Sequence, residues 1–343
     1  KVKAKITDKV KQGNCFLPMH WGRVLGSDFG RANNLTNVLV DARSKEPDFK
    51  FSAVEIVKYV KPKEKIIIIG AGSAGLGFIS SYRKLNQTDD IEVFSKEIYP
   101  FYNRVMLPDY ISGTQSWEQL VKLREDQFTE NNIKVHKGIG INHIDRKNKV
   151  VVDDLGNEHT YDKLFLGMGS QAFMPKNFPK MAGIFNMRSR LDADTLLPFL
   201  KPLPERSRGR HVVVVGGGLL GLEMAASLRE MNRAAYRVNV TVVQRIGRFM
   251  DRQLDSLGSD ILHEEIVARG IDIYYNDEVE QFYGTERIEG VRLKSGQKLD
   301  CDAIIVAAGT IPTIQLAREA GLQCNRGVEI NDYLQTSDPD IFA

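Results

Sequence analysis

Two runs of consecutive β-branched residues, Ile66 to Ile69 and Val212 to Val215, interrupt an otherwise mixed pattern of apolar and polar positions. A strand with one wet face alternates with period two. A strand covered on both sides does not, so these runs predict strands inside a parallel sheet. Each run ends in glycines at one spacing: Gly70, Gly72 and Gly75 after the first, Gly216, Gly218 and Gly221 after the second. The first glycine of such a set permits a tight turn, the second lets backbone approach a pyrophosphate, and the third lets the next helix pack closely. The first helix is expected from about Ala74 to Leu85. Its N-terminus aims the unpaired N–H groups around Ser73 and Ala74 at phosphate oxygens.

The pattern recurs at longer range. Residues 118 to 133 read as a helix and Ile133 to Lys137 as a strand, followed by a hairpin through Val150 to Thr160 and a buried strand, Leu164 to Leu166. That strand ends in Gly167, Gly169 and Ser170. In the second half Gly296 precedes Asp302 as Gly156 precedes Asp162, and DAIIVAAGT, with Gly309, echoes DKLFLGMGS. Recurrence of both the glycine turn and its distant hairpin partner is the mark of an internal duplication, and predicts two dinucleotide sites in one chain. The fold class expected is α/β, with two Rossmann-like domains in three layers.

Composition narrows the function classes. With 343 residues, two to three domains are expected. A net charge of +3 is too mild to imply nucleic-acid or membrane binding, and the apolar runs are too short to span a bilayer. Cys15, Cys301 and Cys324 form no CxxC, and the six histidines are scattered. That argues against a redox dithiol, an iron–sulfur cluster or a metal site in this stretch, and fits a reducing cytoplasm. The chain starts at Lys1 and stops at Ala343 inside an apparent strand, so both ends read as cut.

Candidate chemistry follows the glycines. The strand Ile91 to Phe94 leads to Glu97, near the position where an acid accepts hydrogen bonds from a ribose. Arg104 lies in YPFYNRVMLPDYISG and carries a planar fork suited to phosphate. The order of an acid, then YNR, then LPxYxxG resembles the flavin domain of the NADH-dependent nitrite and nitrate reductase flavoproteins, relatives of ferredoxin and rubredoxin reductases with a glutathione-reductase-like fold. That resemblance implies that Glu97 and Arg104 contact FAD. It assigns Gly70, Gly72 and Gly75 to FAD and Gly216, Gly218 and Gly221 to the nicotinamide cofactor. At 167–170 this chain writes GMGS where the family writes ATGS, so a threonine hydroxyl is missing while the backbone approach of Gly169 and Ser170 is expected to remain.

Two residues keep open readings. Glu223, in the first turn of the second helix, either complements the helix dipole or, as the resemblance implies, lies near the nicotinamide. Gln244 ends the strand Val240 to Val243 where an NAD-preferring site has an acid, and Arg245 and Arg248 follow. The amide removes the charge that repels a 2′-phosphate. The resemblance favours NADH; the arginines favour NADPH.

Residues 1–61 stand apart. His20 with Trp21, Asn33 with Leu35 and Thr36, Asp41, Ser44 with Lys45, Phe49 with Lys50, and Ala53 with Val54 resemble the end of the molybdopterin-dinucleotide-binding barrel of assimilatory and periplasmic nitrate reductases. The resemblance implies a partial β-barrel tail, with Asn33 and Lys50 against molybdopterin guanine dinucleotide. The expected domains are this tail over 1–61, a FAD domain over 62–180, an NAD(P)H domain over 181–300, and a returning, truncated FAD segment over 301–343.

Two adjacent dinucleotides imply hydride transfer from nicotinamide C4 to flavin N5 with no acid–base residue of the protein. The electron acceptor expected is an iron–sulfur or molybdenum domain, with nitrate or nitrite as the terminal substrate of a fused assimilatory nitrate reductase. The alternatives are a nitrite- or rubredoxin-reductase-type flavoprotein and, from another class, a flavin redox sensor.

Overall fold

The computed structural model describes Lys9, Gln12 and residues 62–200, 209–231 and 238–343. The chain divides into two units, Lys1–Pro62 and Lys63–Ala343. The barrel tail, Asn33 and Lys50 lie outside the described residues.

The isoleucine run forms the strand Lys65–Ile69, at the centre of a five-stranded parallel sheet. Asp90–Ser95 pairs on one side, with Ile68 opposite Val93, and Lys163–Leu166 on the other, with Ile68 opposite Phe165. Ile133–Lys137 and Ile341–Phe342 complete the two edges. Ile67 and Ile68 are fully buried, each contributing about 1.5–3 kcal/mol of apolar transfer. This is why the run does not alternate. Helix Ser73–Leu85 follows the glycine turn, and Arg83 in its last turn donates to the carbonyls of Asp89, Asn131 and Asn132, tying the helix end to the sheet.

The second sheet repeats the first. Arg210–Val215 is central, flanked in parallel by Val238–Gln244 and Ala303–Val306, with Asp272–Tyr275 and Ile184–Asn186 at the edges. The spacing shared by Asp162 and Asp302 has a structural cause. Asp162 accepts from the backbone N–H of Lys65 at 2.7 Å, and its own N–H donates to the carbonyl of Lys65. Asp302 makes the same two bonds with His211, at 3.0 and 2.8 Å. Each aspartate latches the strand that follows it, Lys163–Leu166 or Ala303–Val306, to the central strand of its sheet.

Two boundaries differ from expectation. The strand Ala303–Val306 belongs to the second sheet, so the return to the first sheet begins after it rather than at 301. The helix expected over 118–133 is two short helices, Trp117–Leu120 and Asp126–Glu130, separated by the strand Val121–Leu123. Phe101–Tyr102 pairs antiparallel with that strand, and this tertiary partner outweighs local helix propensity. Residues 248–255 lie in turns, and Asp255 caps the helix Ser256–Ala268 by accepting from the N–H of Gly258 at 2.8 Å.

The exits from the two sheets meet. Ser170–Ala172 and Thr310–Pro312 form an antiparallel ribbon, closed by bonds from Thr313 N–H to Gly169 O and from Phe173 N–H to Gly309 O, both 2.9 Å. Nearby, helix Leu107–Ser112 packs on helix Leu219–Glu230. Tyr102, Leu107 and Ile111 thereby share one core with Val212, Val214 and Leu222.

Candidate functional site

Steric demand explains the first glycine turn. Gly70 adopts φ +115°, and a Cβ there would lie 2.2 Å from the carbonyl oxygen of Gly167. A Cβ on Gly75 would lie 2.4 Å from the carbonyl oxygen of Gly70. Gly72 differs: nothing stands within 4 Å of its added Cβ. The turn is therefore closed on the strand side and open on the other. Gly72 begins the helix with no side chain capping it and no acid in the first turn, and Ser73 and Ala74 are exposed. This open, uncapped N-terminus is a cradle that fits a pyrophosphate.

Glu97 and Arg104 come together. Arg104 Nη2 donates to Glu97 Oε1 at 2.7 Å, Tyr102 OH donates to Glu97 Oε2 at 2.7 Å, and Arg104 Nη1 donates to the carbonyl of Arg188 at 3.1 Å. Burial, with the bond to Glu97 adding, pushes the Tyr102 hydroxyl far above the ordinary phenol range. It therefore stays a donor. The guanidinium of Arg188 lies close by: its Nε donates to Ser170 O at 3.1 Å, and Nη2 lies 3.8 Å from a Cβ built on Gly169. Burial and the neighbouring Arg104 lower its pKa. Gly169 and Ser170 thus sit at one end of the ribbon beside the Arg188 guanidinium, with Gly309 at the ribbon's other end.

Sequence reasoning missed Tyr102, Arg188 and a third group, Arg190. Arg190 is stacked at 4.2 Å from Trp117 and 4.3 Å from Tyr110, and its Nε donates to Asp194 Oδ1 at 2.7 Å. Tyr99 and Tyr110 donate to the same carboxylate. The cluster joins the segment carrying Arg104 to helix Arg190–Leu200. The one local signal was Ser189 followed by Asp192, a cap in which Asp192 accepts from the N–H groups of Arg188 and Ser189 and so aims both arginines.

The second turn has the same shape. Gly216 adopts φ +117°, with its Cβ position 2.5 Å from Ala307 O. That of Gly221 lies 1.9 Å from Gly216 O, while Gly218 is open. Gly218 likewise starts its helix uncapped. Gln244 does not face this opening. Only 8% exposed, it accepts from Gly217 N–H at 2.9 Å through Oε1 and donates to Arg248 O at 3.1 Å through Nε2. Glu223 is half-buried, and burial, with Asp109 adding, raises its pKa. Cys301 is buried and Cys324 half-buried, both as free thiols. No group of three or more metal-ligating side chains occurs among the described residues, nor does a helix long and apolar enough to cross a membrane.

Residues 64–343 match the family model described as pyridine nucleotide-disulphide oxidoreductase. The chain belongs to this family. Residues 1–53 match a molydopterin dinucleotide binding domain, so a flavoprotein unit follows a molybdopterin-binding segment. Among curated relatives, a nitrite reductase [NAD(P)H] of Bacillus subtilis is 31% identical over 283 residues, covering 82% of this chain and 34% of the relative. An assimilatory nitrate reductase electron transfer subunit of the same organism is 29% identical, covering 82% and 35%. The chain thus spans about a third of the length of these two. Among solved structures, a putidaredoxin reductase in its covalent complex with putidaredoxin has a TM-score of 0.75 at 26% identity, covering 82% of this chain and 67% of that one. A ferredoxin reductase from Rhodopseudomonas palustris has a TM-score of 0.74 at 27% identity, with the same coverage. As a family member the chain is an NAD(P)H-dependent flavoprotein using FAD, and its N-terminal segment belongs to a domain for molybdopterin dinucleotide.

Proposed function

We propose that this chain is the flavin-bearing part of a fused assimilatory nitrate reductase, passing electrons from NAD(P)H through FAD to an iron–sulfur or molybdenum centre. The observation carrying this reading is the order of the two family matches in one polypeptide: molybdopterin dinucleotide binding over 1–53, then flavoprotein over 64–343. The likeness to an assimilatory nitrate reductase electron transfer subunit supports it.

In this reading Gly70, Gly72, Ser73, Ala74 and Gly75 receive the FAD pyrophosphate, and Glu97 takes the ribose hydroxyls. Arg104 turns a fork already aligned by Glu97 and Arg188 O toward phosphate. Gly169, Ser170 and Gly309 offer backbone at the ribbon, with Arg188 supplying positive charge beside it. Gly216, Gly218 and Gly221 receive the nicotinamide dinucleotide, with Glu223 near the nicotinamide end. Asn33 and Lys50 are assigned to the pterin dinucleotide. The bound cofactors supply hydride and electron transfer; the protein orients them and keeps water out.

The test is the intact reading frame, expressed and loaded with its cofactors, given NAD(P)H and either nitrate or nitrite. Nitrate consumption is expected. Reduction of nitrite to ammonium with nitrate untouched would remove the assignment. A second reading, a rubredoxin-reductase-type flavoprotein, is favoured by the 31% identity to rubredoxin-NAD(+) reductase of Pseudomonas putida, which this chain covers to 70%. It predicts rapid turnover with ferricyanide and a small redox protein but none with nitrate.

A further inference from the structure

We infer that the second dinucleotide site prefers NADPH to NADH, and that Arg245 is the residue that selects the 2′-phosphate. The inference rests on reading the second glycine turn as the nicotinamide dinucleotide site. In open parallel sheets ligands lie beyond the carboxyl ends of the strands, and the residue ending the strand after the glycine helix faces the adenosine ribose. Here that residue is Gln244, and it is committed elsewhere. Its carbonyl oxygen braces Gly217 N–H, its amide nitrogen braces Arg248 O, and its Cδ lies 3.2 Å from a Cβ built on Gly217. The side chain is packed under the turn as an internal strut. It carries no charge to repel a phosphate and has little surface to offer a ribose.

The next residue is differently placed. The Arg245 side chain is 74% exposed, and its ion-pair partner is Glu278, at 3.9 Å and itself half exposed. A pair so open to water holds its guanidinium weakly. A phosphate dianion, able to take two parallel N–H donors, is a better partner than one distant carboxylate. Arg248 is tied to Asp251 O at 3.1 Å, and the buried carboxylate of Asp277 is spent on the N–H groups of Glu278 and Ser295. A strand end whose first side chain is a neutral strut and whose second is an exposed, loosely paired guanidinium is built to accept negative charge at the ribose 2′ position.

Binding of two adenylates to the FAD-loaded full chain separates the possibilities. Measured by calorimetry, 2′,5′-ADP is expected to bind at least tenfold more tightly than 5′-AMP, and the ratio is expected to fall to near one in Arg245→Ala. The kcat/KM ratio of NADPH to NADH with ferricyanide should fall in parallel, and Arg245→Lys should restore part of it. Equal affinity for the two adenylates in the wild-type chain, or a preference that survives Arg245→Ala, would overturn the inference while leaving the dinucleotide site standing. Binding of neither adenylate would instead sink the reading of the second turn, and this inference with it.

Discussion

Arg104 Nη2 lies 2.7 Å from Glu97 Oε1, so two residues chosen separately for a cofactor are partners of each other. The carboxylate is also held by Tyr102, and the guanidinium by Arg188 O. Both ends are therefore oriented before any ligand arrives, and binding costs less ordering. Arg104→Ala leaves Glu97 with one donor fewer and removes the guanidinium proposed to meet phosphate. FAD affinity, read by quenching of flavin fluorescence, is expected to fall about tenfold or more, in line with loss of one charge-assisted bond. Arg104→Lys should rescue poorly, because one ammonium cannot serve both partners with a fixed fork. Unchanged affinity in both variants would remove Arg104 from the site.

The glycines of the first turn should separate into two kinds on substitution. Gly75→Ala drives a Cβ to 2.4 Å from the carbonyl oxygen of Gly70, a backbone atom that cannot swing aside. Overpacking of this kind costs about 1–3 kcal/mol and outweighs the helix-propensity gain of at most about 1 kcal/mol. Gly72 has φ −91° and open space, so Gly72→Ala should leave the thermal midpoint of the apoprotein nearly unchanged. Its methyl instead occupies the cradle, and FAD affinity should drop. Calorimetric melting of both apo variants beside FAD titrations checks this. A destabilised Gly72→Ala or an undisturbed Gly75→Ala would contradict the geometry.

Arg190 offers a test of how the arginine-bearing segment is held. Its guanidinium lies between Trp117 and Tyr110 and shares Asp194 with two tyrosines. Truncation to alanine removes cation–π contacts with Tyr99, Tyr110 and Trp117, about 0.5–2 kcal/mol each for the two closest, and leaves a part-buried carboxylate. A loss of about 2 kcal/mol in urea unfolding is expected, while the bond from the Arg190 backbone N–H to Tyr102 OH survives the truncation. Wild-type stability would show that the cluster is ornamental.

What was legible in the sequence is what backbone sterics dictate locally. Gly70 and Gly216 need positive φ, Gly75 and Gly221 need the absence of a Cβ, and the isoleucine and valine runs need cover on both faces. These demands are met by residue type alone, so the two glycine turns and the duplication could be read from spacing. Contacts made across the fold left no such trace. Arg104 meets Arg188 over 84 positions and Tyr99 meets Asp194 over 95. Nothing local shows that the Gln244 amide is bonded to Gly217, 27 positions away. The helix expected over 118–133 failed for the same reason: Phe101 and Tyr102 supply the strand partner that Val121–Leu123 takes.

Cys301 should be chemically silent in the native protein. It is 3% exposed, and burial, with Asp302 and Asp300 adding, pushes its thiol up to about 12. At neutral pH the thiolate fraction is then about 10⁻⁵, against a few per cent for a free cysteine. Alkylation at pH 7.5 followed by peptide mass spectrometry should find Cys301 unmodified in buffer and modified in urea. Modification within minutes in buffer would mean that the second sheet opens far more readily than its packing implies.

Acid should weaken the unit Lys63–Ala343 through Asp153. This carboxylate is buried between hairpin strands. Burial opposes its charge, but His159 Nε2 at 3.0 Å, Asn157 through side chain and backbone, and the N–H of Leu155 at 2.9 Å all donate to it. The donors win and hold its pKa well below the ordinary value of 3.8. A carboxyl whose folded pKa is depressed releases its proton more readily in the folded state, so the unfolded chain binds more protons as pH falls. The stabilisation is complete above about pH 3.8 and is lost as pH drops toward the folded value. Glu92, held low by Lys65 and His136 against its burial, acts in the same direction. Urea midpoints measured from pH 6 to pH 2.5 should therefore fall in the wild type below about pH 4. Asp153→Asn turns an amide toward a ring of donors, so it should be less stable than wild type at pH 6, with the gap narrowing toward pH 2.5. A gap that stays constant across the range would show that the ionised carboxylate contributes nothing beyond its shape.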